Sequence, residues 1–306
     1  MSVDEPISVG ILCEPYLYEW HVRALETLEN ELDVRIPLVV SNARNRDCEL
    51  ESWNDRKRVR LDDFEQFYDA IRREGAWSFV LAERTLARIL GDEQQLWHRH
   101  TVDTVACLEN AAHVRCDPSM EKGWFEFPDE IVTRVAADCD VVVLFGFGLI
   151  RGAILNAPEY GILSFHPADI RSYRGMGPPP MFHDGAEIAG TTLQQLDESI
   201  DGGKIVAYDD VDISDCYTLW DVFDRIVRVQ IELLTNGISA VTRPDFEPTT
   251  VPTAQLGDLY YRETRRTVGF SGRILLNNLL GRTVRQTTRL SRHLSRLGSG
   301  PGHRTN

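Results

Sequence analysis

Lysine is almost absent from this 306-residue chain: of its 33 Lys and Arg residues, only Lys57, Lys122 and Lys204 are lysine. With 47 Asp and Glu residues and a formal net charge of −14, the composition fits a high-salt cytoplasm or, equally, a GC-rich genome. The six cysteines (Cys13, Cys48, Cys107, Cys116, Cys139, Cys216) include no CxxC pair. That argues against a disulfide framework and a zinc site, and fits a reduced, cytoplasmic protein. No run of eighteen apolar residues exists, so no membrane-spanning helix is expected. The opening MSVDEPISVG lacks a basic stretch followed by an apolar one, so no secretory signal is expected. No internal repeat or low-complexity tract stands out.

What is present is core material. Hydrophobic residues make up 42% and charged residues 26%, which excludes global disorder. The length suits one large α/β domain with an appendage, or two small domains. Charge is unevenly placed. Residues 262–306 hold ten Arg and one acid, Glu263, leaving 23 basic against 46 acidic residues in 1–261. The acidic body argues against a broad nucleic-acid surface there.

Ile7–Cys13 is a short apolar run, as in a buried strand. Glu19–Leu32 places Trp20, Ala24, Leu25, Leu28 and Leu32 at helical spacing, and Ile36–Val40 reads as a second strand. This opening predicts a parallel sheet. Residues 43–60 read as a loop whose Arg44, Arg46, Arg56, Lys57, Arg58 and Arg60 could bind phosphate or simply be solvated. Helices are expected over about 61–74, 76–90 and 93–109, with His98, His100 and Asp103 on a charged helix face rather than at a metal. A strand over 111–115 follows, then a helix over 129–137 introduced by Pro128. Asp140–Phe145 is continuous and β-branched, the strongest strand, and Gly161–Phe165 is its expected neighbour. Gly190–Leu196 and Ile205–Val211 alternate like sheet members, and Thr218–Ala240 is a long amphipathic helix. The fold class is therefore α/β: a doubly wound, mostly parallel sheet over about 5–210, closed by the helix at 218–240. The expected division is a catalytic domain over 1–243 and a linker with a basic extension over 244–306.

The chemistry concentrates between Phe145 and Lys204. Gly146 and Gly148 follow the strongest strand, where open α/β sheets bind ligands. A dinucleotide fingerprint fails there, because Arg151 stands where a third glycine is needed. Four pieces then occur in order: Ser164-Phe165-His166-Pro167, Tyr173-Arg174-Gly175, Gly190-Thr191-Thr192 and Glu198-Ser199-Ile200-Asp201-Gly202-Gly203.

This series resembles the folate-dependent formyltransferases: methionyl-tRNA formyltransferase, glycinamide ribonucleotide formyltransferase and the sugar N-formyltransferases. The resemblance covers about 140–210 well, and 5–240 more weakly. It implies 10-formyltetrahydrofolate as formyl donor and a small-molecule amine as acceptor; from the residues themselves no metal site is expected. It implies that His166 and Asp201 are catalytic: His166 stabilises an oxyanion or shuttles a proton, and Asp201 holds or charges His166. Ser164 stands where the family has an oxyanion-orienting Asn, and a hydroxyl donates only one, rotatable hydrogen bond. Phe145, Gly146, Phe147, Gly148, Leu149, Ile150 and Gly202 are implied at the cofactor, and Tyr173, Arg174 and Gly175 at the substrate.

The region after Ala240 bears on the acceptor. It lacks evenly spaced strands, unlike the tRNA-contacting barrel of methionyl-tRNA formyltransferases. Tyr260-Tyr261-Arg262-Glu263-Thr264-Arg265-Arg266 resembles a stretch of the sugar N-formyltransferases. A nucleotide- or lipid-linked amino sugar is the expected acceptor. The alternatives are a methionyl-tRNA formyltransferase relative with a reduced tail, an enzyme acting on another small amine, and a non-catalytic binding protein. Over 275–297 a helical projection separates Leu276, Leu279, Leu280, Leu290, Leu294 and Leu297 from Arg282, Arg285, Arg289, Arg292 and Arg296. Such a helix suits docking of the leucines on the acidic body, the inner membrane surface, or RNA.

Overall fold

The computed structural model describes residues 5–44, 62–92 and 94–298. Seven strands form the central sheet: β1 (Ile7–Cys13), β2 (Val34–Asn42), β3 (Ala112–Cys116), β4 (Val141–Leu144), β5 (Ile162–His166), β6 (Ile188–Gln195) and β7 (Lys204–Asp212). Their order is β7-β6-β5-β4-β1-β2-β3. The five strands from β5 to β3 are parallel, and β6 and β7 close one edge antiparallel. The expected neighbours β4 and β5 pair through Val142 with Ile162, Val143 with Leu163 and Leu144 with Ser164. The chain runs outward from β1 to β3, then returns to β4 on the other side of β1. The carboxyl ends of β1 and β4 therefore flank the switch point where such sheets open a crevice.

The helices that bear on the site are α1 (Glu19–Glu31), α2 (Trp77–Ile89), α3 (Asp129–Asp138), α4 (Leu219–Val241) and α5 (Val268–Gly298). Strand alternation divides the core between them. Val9, Ile11, Cys13, Val141 and Val143 face α1 and α4, which bring Leu25, Leu28, Leu233, Leu234 and Ile238. Leu12, Val142 and Leu144 face the other way, against Ile131 and Val135 of α3. Each such leucine contributes about 1.5–3 kcal/mol by leaving water. Thr218 caps α4: its hydroxyl accepts from the Asp221 N–H, while the Asp221 carboxylate accepts from the Thr218 N–H at 2.8 Å.

The arrangement of elements departs from expectation in two places. Within the expected 93–109 helix, the described residues 94–109 are not helical over their length. Arg99–Thr101 pairs antiparallel with Tyr16–Tyr18, between 3-10 turns at Gln95–Trp97 and Val102–Thr104. The β-branched Thr101, Val102, Thr104 and Val105 disfavour a helix, and the pairing accompanies full burial of Leu17. His100 thus lies on a strand, its Nε2 2.8 Å from Glu19 Oε2. Of the basic loop, Arg44 is described, with Nε donating to Asp117 at 2.6 Å. Arg46, Arg56, Lys57, Arg58 and Arg60 lie outside the described residues.

The second departure concerns α5, which docks through the face opposite to Leu276, Leu279 and Leu280. Phe270 and Ile274 pack with Trp77 and Val80 of α2 and with Leu219 and Trp220 of α4. Asn278, Arg282 and Arg285 point into a cluster of Glu83, Asp92 and Asp221. Leu276, Leu279 and Leu280 are 55%, 50% and 56% exposed. The carboxylate cluster, not the leucines, sets the helix's rotation. The pairing of Arg282 and Arg285 with the body is as expected; docking of Leu276, Leu279 and Leu280 is not. The side chains of 288–298 lie outside the description. Among the described residues, no helix is long and apolar enough to cross a membrane.

Candidate active site

Beyond β4 the chain turns through Phe145–Gly148 against the end of β1. A Cβ on Gly146 would lie 2.7 Å from the Glu14 backbone N, so only glycine lets the two ends approach. Glu14 Oε1 accepts from the Phe147 N–H at 3.3 Å, pinning the turn. Phe145 stacks on His21 at 4.3 Å between ring centroids. Phe147 turns into the core against Phe127, with φ at +68°. Ile150 is also core, and Leu149 is exposed on Leu149–Arg151, which pairs with Trp124–Glu126. Of the stretch expected at the cofactor, Phe145, Gly146 and Gly148 thus reach the cavity described below, and Phe147, Leu149 and Ile150 do not.

His166 ends β5 and is 4% exposed. Its Nδ1 lies 3.2 Å from Asp201 Oδ1, and its Nε2 lies 2.9 Å from the Tyr173 carbonyl oxygen. Both ring nitrogens thus face acceptors, an arrangement that imidazolium alone satisfies fully. The sequence expectation that His166 and Asp201 meet at the strand ends therefore matches the geometry.

Asp201 sits at the turn between β6 and β7 with φ at +46°. Its Oδ2 accepts from the Gly175 N–H at 2.7 Å and its Oδ1 from the Gln194 amide at 3.2 Å. Burial would raise this carboxyl, but the His166 contact and the Gly175 and Gln194 donors hold it down at about 2. The turn then passes close to β6: a Cβ on Gly203 would lie 2.3 Å from the Gln195 carbonyl oxygen. Gly202 faces Ser199 and Arg174 rather than the cavity. The Arg174 guanidinium donates to the Ile200 and Asp201 carbonyls, at 3.1 and 3.0 Å from Nε, so it fastens the Asp201 turn. Tyr173 donates to Asp184 at 3.4 Å, and Tyr173–Arg174 pairs with Asp258–Leu259.

A depressed carboxyl has a stability consequence of definite sign. The folded value, about 2, lies below the ordinary aspartate value of about 3.9. The stabilisation is complete above roughly pH 4 and is lost as pH falls from there towards 2. Its size is about 2–3 kcal/mol. Urea unfolding of the native protein and Asp201→Asn should therefore converge between pH 4 and pH 2. A difference that stays constant over that interval contradicts the assignment.

Next to the pair, a cavity of about 280 Å³ is walled by Trp20, Trp97, Phe145, Phe165 and Phe223, with Ser164, Pro167, Gly146, Gly148 and Gln230. No described Asp, Glu, Lys or Arg lines it. His21, also on its wall, is held neutral by burial, which pushes it down to about 3. The indole N–H groups of Trp20 and Trp97 are buried without a partner, as is Gln194 Oε1. Ser164 is half-buried on this wall, opposite Gln194 in the β5–β6 pairing.

Several of these residues escaped the sequence reading. Gln194 offers no signal within an alternating strand. Gln230 does offer one, a polar residue on the apolar face of α4. It donates to Thr191 at 2.8 Å, and Thr191 donates to the His166 carbonyl at 3.2 Å. Trp20, Trp97 and Phe223 come from three separate elements, so no local pattern joins them.

Known proteins resemble this chain in sequence and in fold. The family described as Formyl transferase matches residues 111–238. Methionyl-tRNA formyltransferase of Rickettsia canadensis is 31% identical over 109 residues, 35% of this chain and 36% of that one. The enzyme of Rickettsia bellii is 29% identical over 114 residues, 37% of each chain. The chain thus matches little more than a third of the length of these curated relatives. In fold, glycinamide ribonucleotide transformylase 1 of Symbiobacterium toebii superposes with a TM-score of 0.50 at 16% identity, covering 81% of this chain and 96% of that one. The matched residues run from β3 to α4 and contain both His166 and Asp201, so the likeness to formyl transferases covers the part of the chain that holds this pair.

Proposed function

We propose that the protein transfers a formyl group from 10-formyltetrahydrofolate to a primary amine, and that this amine belongs to a nucleotide- or lipid-linked amino sugar. The observation that carries the reading is the hydrogen-bonded His166–Asp201 pair beside an uncharged aromatic cavity at the switch point. The residues present fit the folate. Gly146 and Gly148 line the cavity without side chains between apolar walls, and the buried indole N–H groups of Trp20 and Trp97 await partners.

When bound, the folate supplies the formyl carbon: its bond to N10 breaks, its bond to the amine forms, and an amine proton ends on N10. The chain's part is electrostatic and positional. The cavity offers an ammonium group no carboxylate, so it favours the neutral, nucleophilic amine. His166, held by Asp201, presents an N–H to the oxygen on which negative charge develops. To do so, Nε2 exchanges its bond to the Tyr173 carbonyl for the substrate oxygen. Ser164 donates from the same wall.

The sugar reading draws on two features. Flat aromatic walls suit the C–H face of a sugar ring. The Tyr260–Arg266 stretch lies at the site, since the Tyr260 N–H donates to the Arg174 carbonyl at 2.9 Å and the Tyr173 and Tyr260 rings lie 6.0 Å apart. A methionyl-tRNA acceptor draws less support, because Arg262, Arg265, Arg282 and Arg285 already pair with Glu74, Glu83, Asp92 and Asp221.

The test is a formyl-transfer assay with 10-formyltetrahydrofolate and a panel of amino sugar nucleotides, lipid-linked amino sugars, methionyl-tRNA and simple amines. Transfer to an amino sugar is expected. Ser164→Asn should raise the rate, by up to about 100-fold if the hydroxyl is simply a weaker oxyanion donor. Folate binding without transfer to any acceptor would instead identify a binding protein.

A further inference from the structure

We propose that α5 pairs, along its exposed leucine face, with the same helix of a second copy of this chain. Leu276 and Leu280 begin a strict four–three spacing that Thr283 and Thr287 continue, and the sequence carries it on through Leu290, Leu294 and Leu297. This is the heptad seam of a coiled coil, about 22 residues or roughly 33 Å long. The leucines described along it are at least half exposed.

Charge placement selects the occupant. On one side the seam is flanked by Asn277, Val284 and Ser291, and on the other by Leu279, Gln286 and His293. None carries a formal charge at neutral pH, so two identical helices meet without like-charge repulsion despite the tail's basicity. The arginines fall at the outer positions of the heptad: Arg282, Arg285, Arg289, Arg292 and Arg296. At Arg282 and Arg285 those positions face the carboxylates of the same chain. A bilayer surface would use arginines beside the leucines, reaching anionic headgroups. Here the first two are committed to the body. The central threonines weaken the seam, giving an association that depends on concentration.

The experiment is sedimentation equilibrium of the full chain and of Leu276→Glu/Leu280→Glu, from about 1 to 100 μM, beside flotation with anionic phosphatidylserine vesicles. The native protein is expected to dimerise with rising concentration without binding vesicles. The double variant should remain monomeric at an unchanged melting temperature, since both leucines are exposed. A native protein that stays monomeric throughout overturns the proposal, and so does a variant that dimerises equally well. Monomers that float with vesicles through Leu276 and Leu280 assign the face to lipid and also overturn it. Variants that melt early are replaced by Leu276→Gln/Leu280→Gln, read by the same equilibrium.

Discussion

Replacing His166 with alanine is expected to lower formyl transfer by about 100- to 10,000-fold, the range over which a positioned acid–base group contributes. The ring touches both Asp201 and the Tyr173 carbonyl, so its loss removes the imidazole donor and leaves Asp201 with only the Gly175 and Gln194 donors. Folate binding should persist, because the cavity walls do not include His166. Single-turnover transfer and equilibrium folate binding, measured on the same preparation, separate the two effects. If transfer persists within about threefold of the native rate, less than any positioned acid–base group supplies, His166 is not the catalytic group.

Replacing Glu83 with alanine should cost about 3–5 kcal/mol of unfolding free energy. Glu83 is 8% exposed and accepts from Trp220 Nε1 at 2.9 Å, Asn278 Nδ2 at 3.0 Å and Arg282 Nε at 2.5 Å. Removing it strands the buried Trp220 and Asn278 donors and takes one of two carboxylate partners from Arg282. Arg282→Ala should cost less, because Glu83 keeps two donors, and Asp92, the second partner of Arg282, retains Arg285. Urea unfolding gives the ordering, and limited proteolysis reads release of α5. A Glu83→Ala cost below about 1 kcal/mol, the worth of an exposed pair, would mean that the cluster does not anchor the helix.

The contrast between these two sites explains what was legible in the sequence. The sheet was, because β4 and β5 are short, rich in apolar residues and bounded by glycine or charge, as strands covered on both faces are. The His166–Asp201 encounter was legible through the ordered motif pieces, which the antiparallel β5–β6 pairing then brings together. The stretch 93–109 misled because its polar spacing mimics a helix, whereas Arg99–Thr101 gains more from pairing with Tyr16–Tyr18. The tail's helix was legible and its rotation was not. Leucine patterning identifies an apolar face, but the orientation is decided by Glu83, Asp92 and Asp221, which are remote in sequence. The aromatic cavity was equally hidden, since α1, the Gln95–Trp97 turn and α4 each supply one part.

The short pairing of Tyr173–Arg174 with Asp258–Leu259 reaches further than its two residues. Arg174 holds the Ile200 and Asp201 carbonyls, Gly175 donates to the Asp201 carboxylate, and the Tyr173 carbonyl meets His166. Asp258 and Leu259 lie beyond residue 238, where the family match ends. The positions of His166 and Asp201 are thus set partly from outside the region matched by the family model. Two proteins with the same motif can differ in chemistry through a neighbouring strand that neither motif contains.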